Sequence, residues 1–252
     1  MLKIDLHIHT THSGHAYATI YEIMKEAKSK GMEMIAITDH GPSMGSTSIA
    51  HFLIADRSPK TYEGMEVLWG CEANIINGKG DIDLNDAAIK KLDIILVGLH
   101  MGTPYKDLGK KKNTEAIINC FKRYPIHIFT HPATLFYDYD VEKVFQAACD
   151  NDILLELNMT NLVNLDRGFK NITLENFRKI VDVTKKNKRK LIINSDTHFL
   201  SELGNDDILR KYWDKLGLND TIIMNNYPDE LRAFIKGKNL PKYSPEINKR
   251  KK

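Results

Sequence analysis

The chain has 252 residues, 42% apolar and 27% charged, ordinary proportions for a globular protein with ample material for a core. Its formal charge is +3, of which Lys249, Arg250, Lys251 and Lys252 supply +4, so the body is close to neutral and nothing in the composition calls for nucleic acid. No apolar run approaches the ~18 residues of a membrane span, and the first residues do not join a basic segment to an apolar one as a signal peptide does. Cys71, Cys120 and Cys149 have no C-x-x-C spacing and read as reduced thiols, so a cytoplasmic protein without membrane contact is expected.

The elements alternate from the start. Leu2 to Leu6 reads as a strand running into His7 and His9, which on extended chain share one face. Thr19 to Glu22 is a capping box opening a helix with Ile20, Ile23, Met24 and Ala27 on one side and Gly31 at its end. Met34 to Thr38 is a buried strand ending at Asp39-His40-Gly41-Pro42. Residues 43 to 65 read as a long loop with a short helix around Ile49 to Arg57; loops of that length are usually functional or disordered.

Strands follow at Val67 to Gly70, Asp93 to Gly98, Ile126 to Phe129, Ile153 to Leu157 and Leu191 to Ile193, with a turn at Asn77 to Asp81. Helices are predicted at Asn113 to Arg123, after Asp140, at Thr173 to Asn187, Asn205 to Leu216 and Asp229 to Lys236. About seven strands separated by crossovers imply parallel pairing. The reading is one α/β domain over residues 1–240, a parallel barrel or near-barrel, with a doubly wound open sheet as the alternative. Residues 241–252 read as a basic tail expected to be disordered.

Metal-binding residue types fall where the strands end. His7 and His9, His40, Glu72, His100, His131, and the pair Asp196 and His198 follow six different strands, and His15 lies in the first loop. In a parallel barrel those ends converge on one face. A set rich in imidazole with two carboxylates and no thiolate suits zinc, with manganese or iron as alternatives. Nine ligands exceed one tetrahedral ion and imply two or three, with a carboxylate such as Glu72 bridging. Three divalent ions against two carboxylates leave roughly +4, which favours an anionic substrate such as a phosphate ester.

H-x-H at His7 and His9, ITDH at Ile37 to His40, E-A-N at Glu72, G-L-H at His100, T-H-P at His131 and SDTH at Ser195 to His198 resemble the PHP (polymerase and histidinol phosphatase) family over most of residues 1 to 200. His15 in H-A-Y, D-H-G-P after the second strand and E-A-N-I make it look like the YcdX-type phosphoesterase branch. The resemblance implies a distorted seven-stranded β/α barrel with a trinuclear centre. Carried over by motif, His7, His9, Glu72 and Asp196 would hold one ion. Glu72 would bridge to a second held with His100 and His131, and His15, His40 and His198 would hold the third. The implied activity is hydrolysis of a small phosphorylated substrate by a metal-bound hydroxide, and the resemblance allows a homotrimer.

Asp5 and Asp39 sit beside ligands and are expected to orient imidazoles. Arg57 and His51, in the long loop, are the candidates for contact with a substrate phosphate. His12 reads as an exposed loop residue, His127 and Cys71 as structural, and Asn74 and Lys79 as rim residues. The rival functions are histidinol-phosphate phosphatase, a nuclease or nucleotide phosphatase acting on nucleic-acid ends, and, outside enzymes, a metal-stabilised interaction domain.

Overall fold

A computed structural model describes residues 1–239; the expected tail at 241–252 lies outside the described residues. The strands are β1 (Ile4–Ile8), β2 (Met34–Ile37), β3 (Thr61–Tyr62), β4 (Met65–Asn74), β5 (Ile94–Gly98), β6 (Ile128–Phe129), β7 (Leu154–Asn158) and β8 (Ile192–Asn194). Seven of them run parallel in the order β1-β2-β4-β5-β6-β7-β8, and β3 is a short antiparallel hairpin partner of β4. The helices are α1 (Ile20–Ser29), α2 (Ile49–Leu53), α3 (Asp86–Ile89), α4 (Lys110–Arg123), α5 (Val141–Asp150), α6 (Met159–Asp166), α7 (Leu174–Lys186), α8 (Asp207–Leu216) and α9 (Pro228–Asn239).

The strands are buried on both faces because alternate residues serve two different layers. Ile4, Leu6, Met34, Ala36, Leu68, Ile94, Leu96, Ile128, Leu154 and Ile192 line the inside of the sheet. Leu231 and Ile235 of α9, with Met224, complete this inner cluster at the end where the strands begin. Outward residues such as Ile35, Val67, Cys71, Ile95 and Phe129 join the large cluster beneath the surrounding helices. Toward the strands' C-terminal ends the same inward positions turn polar: Glu72 and Asn74 follow Leu68, Glu156 and Asn158 follow Leu154, and Asn194 follows Ile192, all fully buried. The barrel is thus an apolar plug below and a polar chamber above.

Side chains close most of the seam between β1 and β8. At the upper end Thr197 N–H reaches His7 O at 3.3 Å and His9 N–H reaches Thr197 O at 3.0 Å. Lower down, Leu6 N–H donates to Asn194 Oδ1 at 2.9 Å, and Asn225 Nδ2 donates to Ile4 O and Ile193 O at 3.0 and 2.8 Å. Buried backbone groups need partners, and here the side-chain amides of Asn194 and Asn225 provide them where the ladder is interrupted. The result is a nearly closed, distorted seven-stranded barrel.

Several elements differ from the sequence reading: β3 pairs within the expected long loop, and the short helix α3 has no counterpart in it. β4 extends to Asn74, so Glu72 lies within a strand rather than beyond its end. α6 starts directly after β7, with no intervening loop, because Asn158 caps it through Oδ1 to Asn161 N–H at 2.9 Å. Its buried face is narrow, only Met159, Asn161 and Leu162, which is why 159–166 carries a weak periodic signal.

Candidate metal centre

The site begins with a fault in β1. Ile4 pairs with Met34 and Asp5 with Ile35, but Ile8 pairs with Ile37, so β1 contains one extra residue between Asp5 and Ile8. Such a bulge re-aims the side chains beyond it. Ile4 and Leu6 belong to the inner cluster, whereas Ile8 belongs to the outer one. His7 and His9 consequently enter the polar chamber together, both fully buried, with Nε2 atoms 3.0 Å apart.

Glu72, inward on β4, is the hub. Its Oε2 lies 3.3 Å from His7 Nε2, 3.4 Å from His9 Nε2 and 2.8 Å from His40 Nδ1. Its Oε1 lies 3.1 Å from His100 Nε2 and 2.9 Å from His131 Nε2, and those two nitrogens are 2.9 Å apart. Asp196 Oδ1 faces His7 and His9 at 3.5 and 3.3 Å. The ligand atoms of His7, His9 and Glu72 lie within 4.8 Å of one another, as do those of His40, Glu72 and His100, and those of His9, His40 and His198. His15 stacks its ring on His40 and His198, with centroids 5.0 and 4.8 Å away. All nine sequence candidates therefore meet at one mouth, six of them in overlapping triads.

Hydrogen bonds on the far side of the rings settle which nitrogen is bare. Glu156 Oε1 accepts from His7 Nδ1 at 2.8 Å, Asn74 Oδ1 from His100 Nδ1 at 2.7 Å, and the Asp196 carbonyl from His198 Nδ1 at 3.0 Å. The Ser13 hydroxyl donates to Asp39 Oδ1 at 2.7 Å, so toward His9 Nδ1 at 3.0 Å and His40 N–H at 3.1 Å it accepts. The Nε2 atoms of His7, His9, His100 and His198 are left as lone pairs. Buried His40 Nδ1 and Glu72 Oε2, though 2.8 Å apart, have no hydrogen-bond partner. Acceptors packed this closely repel unless a cation lies among them, and their spacing suits ligand atoms ~2.0–2.2 Å from a shared zinc ion. The donor set fits divalent transition metal.

The electrostatics agree with that chemistry. Burial pushes the Glu72 and Asp196 carboxyls up, yet the surrounding imidazoles, His7 foremost, outweigh it and hold both well below the usual carboxylate range. Burial and the neighbouring His40 drive His9 down to about 3. His7 goes the other way: burial opposes its charge, but Glu156, Glu72 and Asp196 prevail and raise it well above 6.5.

Backbone geometry adds a further sign. His131 and Asp196 have φ of 34° and 59°, the left-handed region that non-glycine residues rarely occupy and that costs about 1–3 kcal/mol each. His131 is held there by its N–H to Glu156 Oε2 at 2.7 Å. Gly98 provides room: a Cβ there would stand 2.6 Å from His100 Cε1 and 2.7 Å from Thr130 Oγ1.

The expected orienting residues need correction. Asp5 touches no imidazole ring; it precedes the bulge and so faces away, accepting from Ser195 N–H at 3.1 Å, Ser195 Oγ at 2.5 Å and Gly204 N–H at 3.1 Å. It stitches the seam. Asp39 reaches His9 only through Ser13. Asn74, expected on the rim, is buried and orients His100. Arg57 ends the short turn Ala55–Arg57 and is exposed, while His51 Nε2 lies 3.5 Å from Asp39 Oδ2, outside the Glu72 cluster. His12 is exposed; His127 sits low in the barrel, with Nδ1 accepting from Ile95 N–H at 3.1 Å, and Cys71 is in the outer core.

Glu156 and Ser13 were missed. Glu156 accepts from His7 Nδ1 and from Asn194 Nδ2 at one oxygen, and from His131 N–H and Asn158 Nδ2 at the other, over 2.7–2.9 Å. Its signal was available, as the lone carboxylate in the apolar strand LLELN.

The sequence matches the PHP domain family over residues 5–237. This chain belongs to that family. A probable phosphatase of Thermoanaerobacter sp. strain X514 is 34% identical over 240 residues, 94% of this chain and 96% of the relative. One of Proteus mirabilis strain HI4320 is 33% identical over 239 residues, 93% and 94% of the two chains. Among solved structures, histidinol phosphate phosphatase of Lactococcus lactis subsp. lactis, complexed with zinc, L-histidinol and phosphate, superimposes with a TM-score of 0.54 over 86% of this chain and 94% of that one, at 12% identity. A chain from archaeal ribonuclease P with mature tRNA gives a TM-score of 0.58 over 99% of both, at 19% identity. At such identities the likeness is one of fold, and PHP membership rests on the sequence matches.

Proposed function

We propose that this PHP protein is a metal-dependent phosphoric monoester hydrolase acting on a small phosphorylated substrate. The observation that carries the reading is Glu72: its two oxygens face five imidazoles, and the rings whose tautomers are fixed by other partners turn a bare nitrogen toward it. The probable-phosphatase relatives, similar over nearly their whole length, support the reaction class. The L. lactis relative of the same fold is a phosphatase held with zinc, L-histidinol and phosphate, which is consistent with the reading.

The proposed division follows the family resemblance: His7, His9, Glu72 and Asp196 around one ion, Glu72, His100 and His131 around a second, His15, His40 and His198 around a third. Zinc suits this set best, with manganese or iron as alternatives. When bound, such ions acidify water at neutral pH, hold phosphoryl oxygens and stabilise a leaving oxygen. The chain's own residues perform the supporting tasks. Glu72 and Asp196 stay ionised and leave the loaded mouth with a positive surplus that attracts a dianion. Glu156, Asn74 and Ser13 fix the imidazole tautomers and so keep the bare nitrogens aimed inward. Among the described residues no side chain stands out as a general acid.

The test is release of inorganic phosphate from p-nitrophenyl phosphate by the wild type and by Glu72→Gln, with histidinol phosphate, nucleoside bisphosphates and short oligonucleotides as a substrate panel. Metal-dependent turnover lost in Glu72→Gln supports the proposal. Chelator-resistant hydrolysis, or hydrolysis undiminished in Glu72→Gln, would overturn it.

A further inference from the structure

We propose that His12, Asp39 and His51 form a separate divalent-cation site on the rim of the barrel mouth, outside the set organised by Glu72. His12 lies on the turn Thr11–Ser13 after β1, Asp39 follows β2, and His51 lies on α2. The three come from separate stretches of the first 51 residues, and one ligand atom from each falls within 4.8 Å of the other two. The His12 and His51 rings are tilted 30° with centroids 4.4 Å apart.

Local hydrogen bonds prepare the atoms. Thr10 Oγ1 donates its hydrogen to Asp39 Oδ2 at 2.8 Å, so toward His12 it accepts, from the backbone N–H and from Nδ1, each at 3.2 Å. That leaves His12 Nε2 as a lone pair. Asp39 is fully buried, and Thr10 N–H at 2.7 Å and Ser13 Oγ at 2.7 Å saturate its Oδ1. Oδ2, with one donor from Thr10, keeps a lone pair on the side of His51 Nε2, 3.5 Å away. That separation is long for a strong hydrogen bond and suits two ligands of one ion. A carboxylate oxygen with two imidazole nitrogens is a zinc, cobalt or nickel donor set. Three protein ligands, one of them exposed, leave positions for water, so this site binds more weakly than the central one and fills after it. The competing arrangement is an Asp39–His51 ion pair with His12 stacked on it and no metal.

Chelated, refolding-checked protein is dialysed against zinc, first at a low buffered free concentration and then in excess, and bound zinc is counted by elemental analysis. At excess zinc the wild type is expected to hold one equivalent more than the His12→Gln/His51→Gln double variant, and the two are expected to hold equal amounts at low free zinc. Equal content at excess zinc would overturn the proposal and leave the ion pair as the occupant. His12→Gln alone alters an exposed side chain and carries the same test if the double variant fails to fold: it is expected to weaken the last-filling equivalent, and an unchanged zinc isotherm counts against the site. Only the difference between proteins is read, so a central site that held fewer ions than proposed would lower both counts alike and be recognised separately.

Discussion

Glu156→Gln is the most informative substitution, because it changes one atom in the chamber and no volume. The carboxylate takes two N–H donors on each oxygen: His7 Nδ1 and Asn194 Nδ2 on one, His131 N–H and Asn158 Nδ2 on the other. A glutamine can satisfy one of these pairs and must present its own N–H₂ to the other. The His131 N–H is fixed by the backbone, so the amide oxygen is expected to turn there and the N–H₂ to face His7. His7 must then surrender its Nδ1 hydrogen and carry it on Nε2, the atom that faces Glu72 and His9. Ligation by His7 and a hydrogen on Nε2 are mutually exclusive. Loss of an orienting partner of this kind typically costs 10- to 100-fold in metal affinity, or about 1.4–2.8 kcal/mol. The assay is zinc affinity by chelator competition, with phosphate release alongside and a thermal melt of the metal-free protein as control. Zinc affinity and activity equal to the wild type would refute the tautomer reasoning.

Other perturbations separate orientation from scaffolding. Ser13→Ala removes the acceptor shared by His9 Nδ1 and His40 N–H and is expected to lower zinc affinity by about 10- to 100-fold, measured by the same competition. Gly98→Ala drives a methyl group against His100 and is expected to cost about 1–3 kcal/mol in denaturant unfolding and to lower bound zinc; unchanged zinc content would contradict it. Asp5→Ala, by contrast, opens the β1–β8 seam and is expected to cost about 2–4 kcal/mol of stability, read from urea unfolding, where a loss near zero would contradict the seam assignment. The pH dependence of zinc uptake has a definite sign. His7 in the metal-free chain is held above its ordinary 6.5, so it is protonated below that raised value and must lose the proton to ligate. Zinc affinity should therefore rise as the pH climbs from below 6.5 toward that raised value, with proton release into a weakly buffered solution, and a pH-independent affinity would contradict this.

Much of the chamber was legible because a parallel barrel converts a linear regularity, an apolar run followed by His, Glu or Asp, into a spatial one. His40, His100, His131 and His198 needed only that rule. The orienting residues were less legible. Asp5 misled because it sits close to His7 in sequence, yet the bulge between Asp5 and Ile8 turns the two side chains to opposite faces, and register faults leave no mark in a single sequence. Glu156 stands out as the lone carboxylate in LLELN, but that it and Asn74 face the chamber follows only once the inward parity of β7 and β4 is known. Ser13 carries no signal at all: its role depends on Asp39, 26 residues away, claiming its only hydrogen.

Phosphate release against zinc equivalents, starting from fully chelated protein, tests the metal-centre reading most directly. No turnover is expected in the stripped protein, with activity growing as zinc is restored and saturating only after more than one equivalent has bound. Full activity in the stripped protein, or saturation at a single equivalent, would contradict a multi-ion centre built around Glu72.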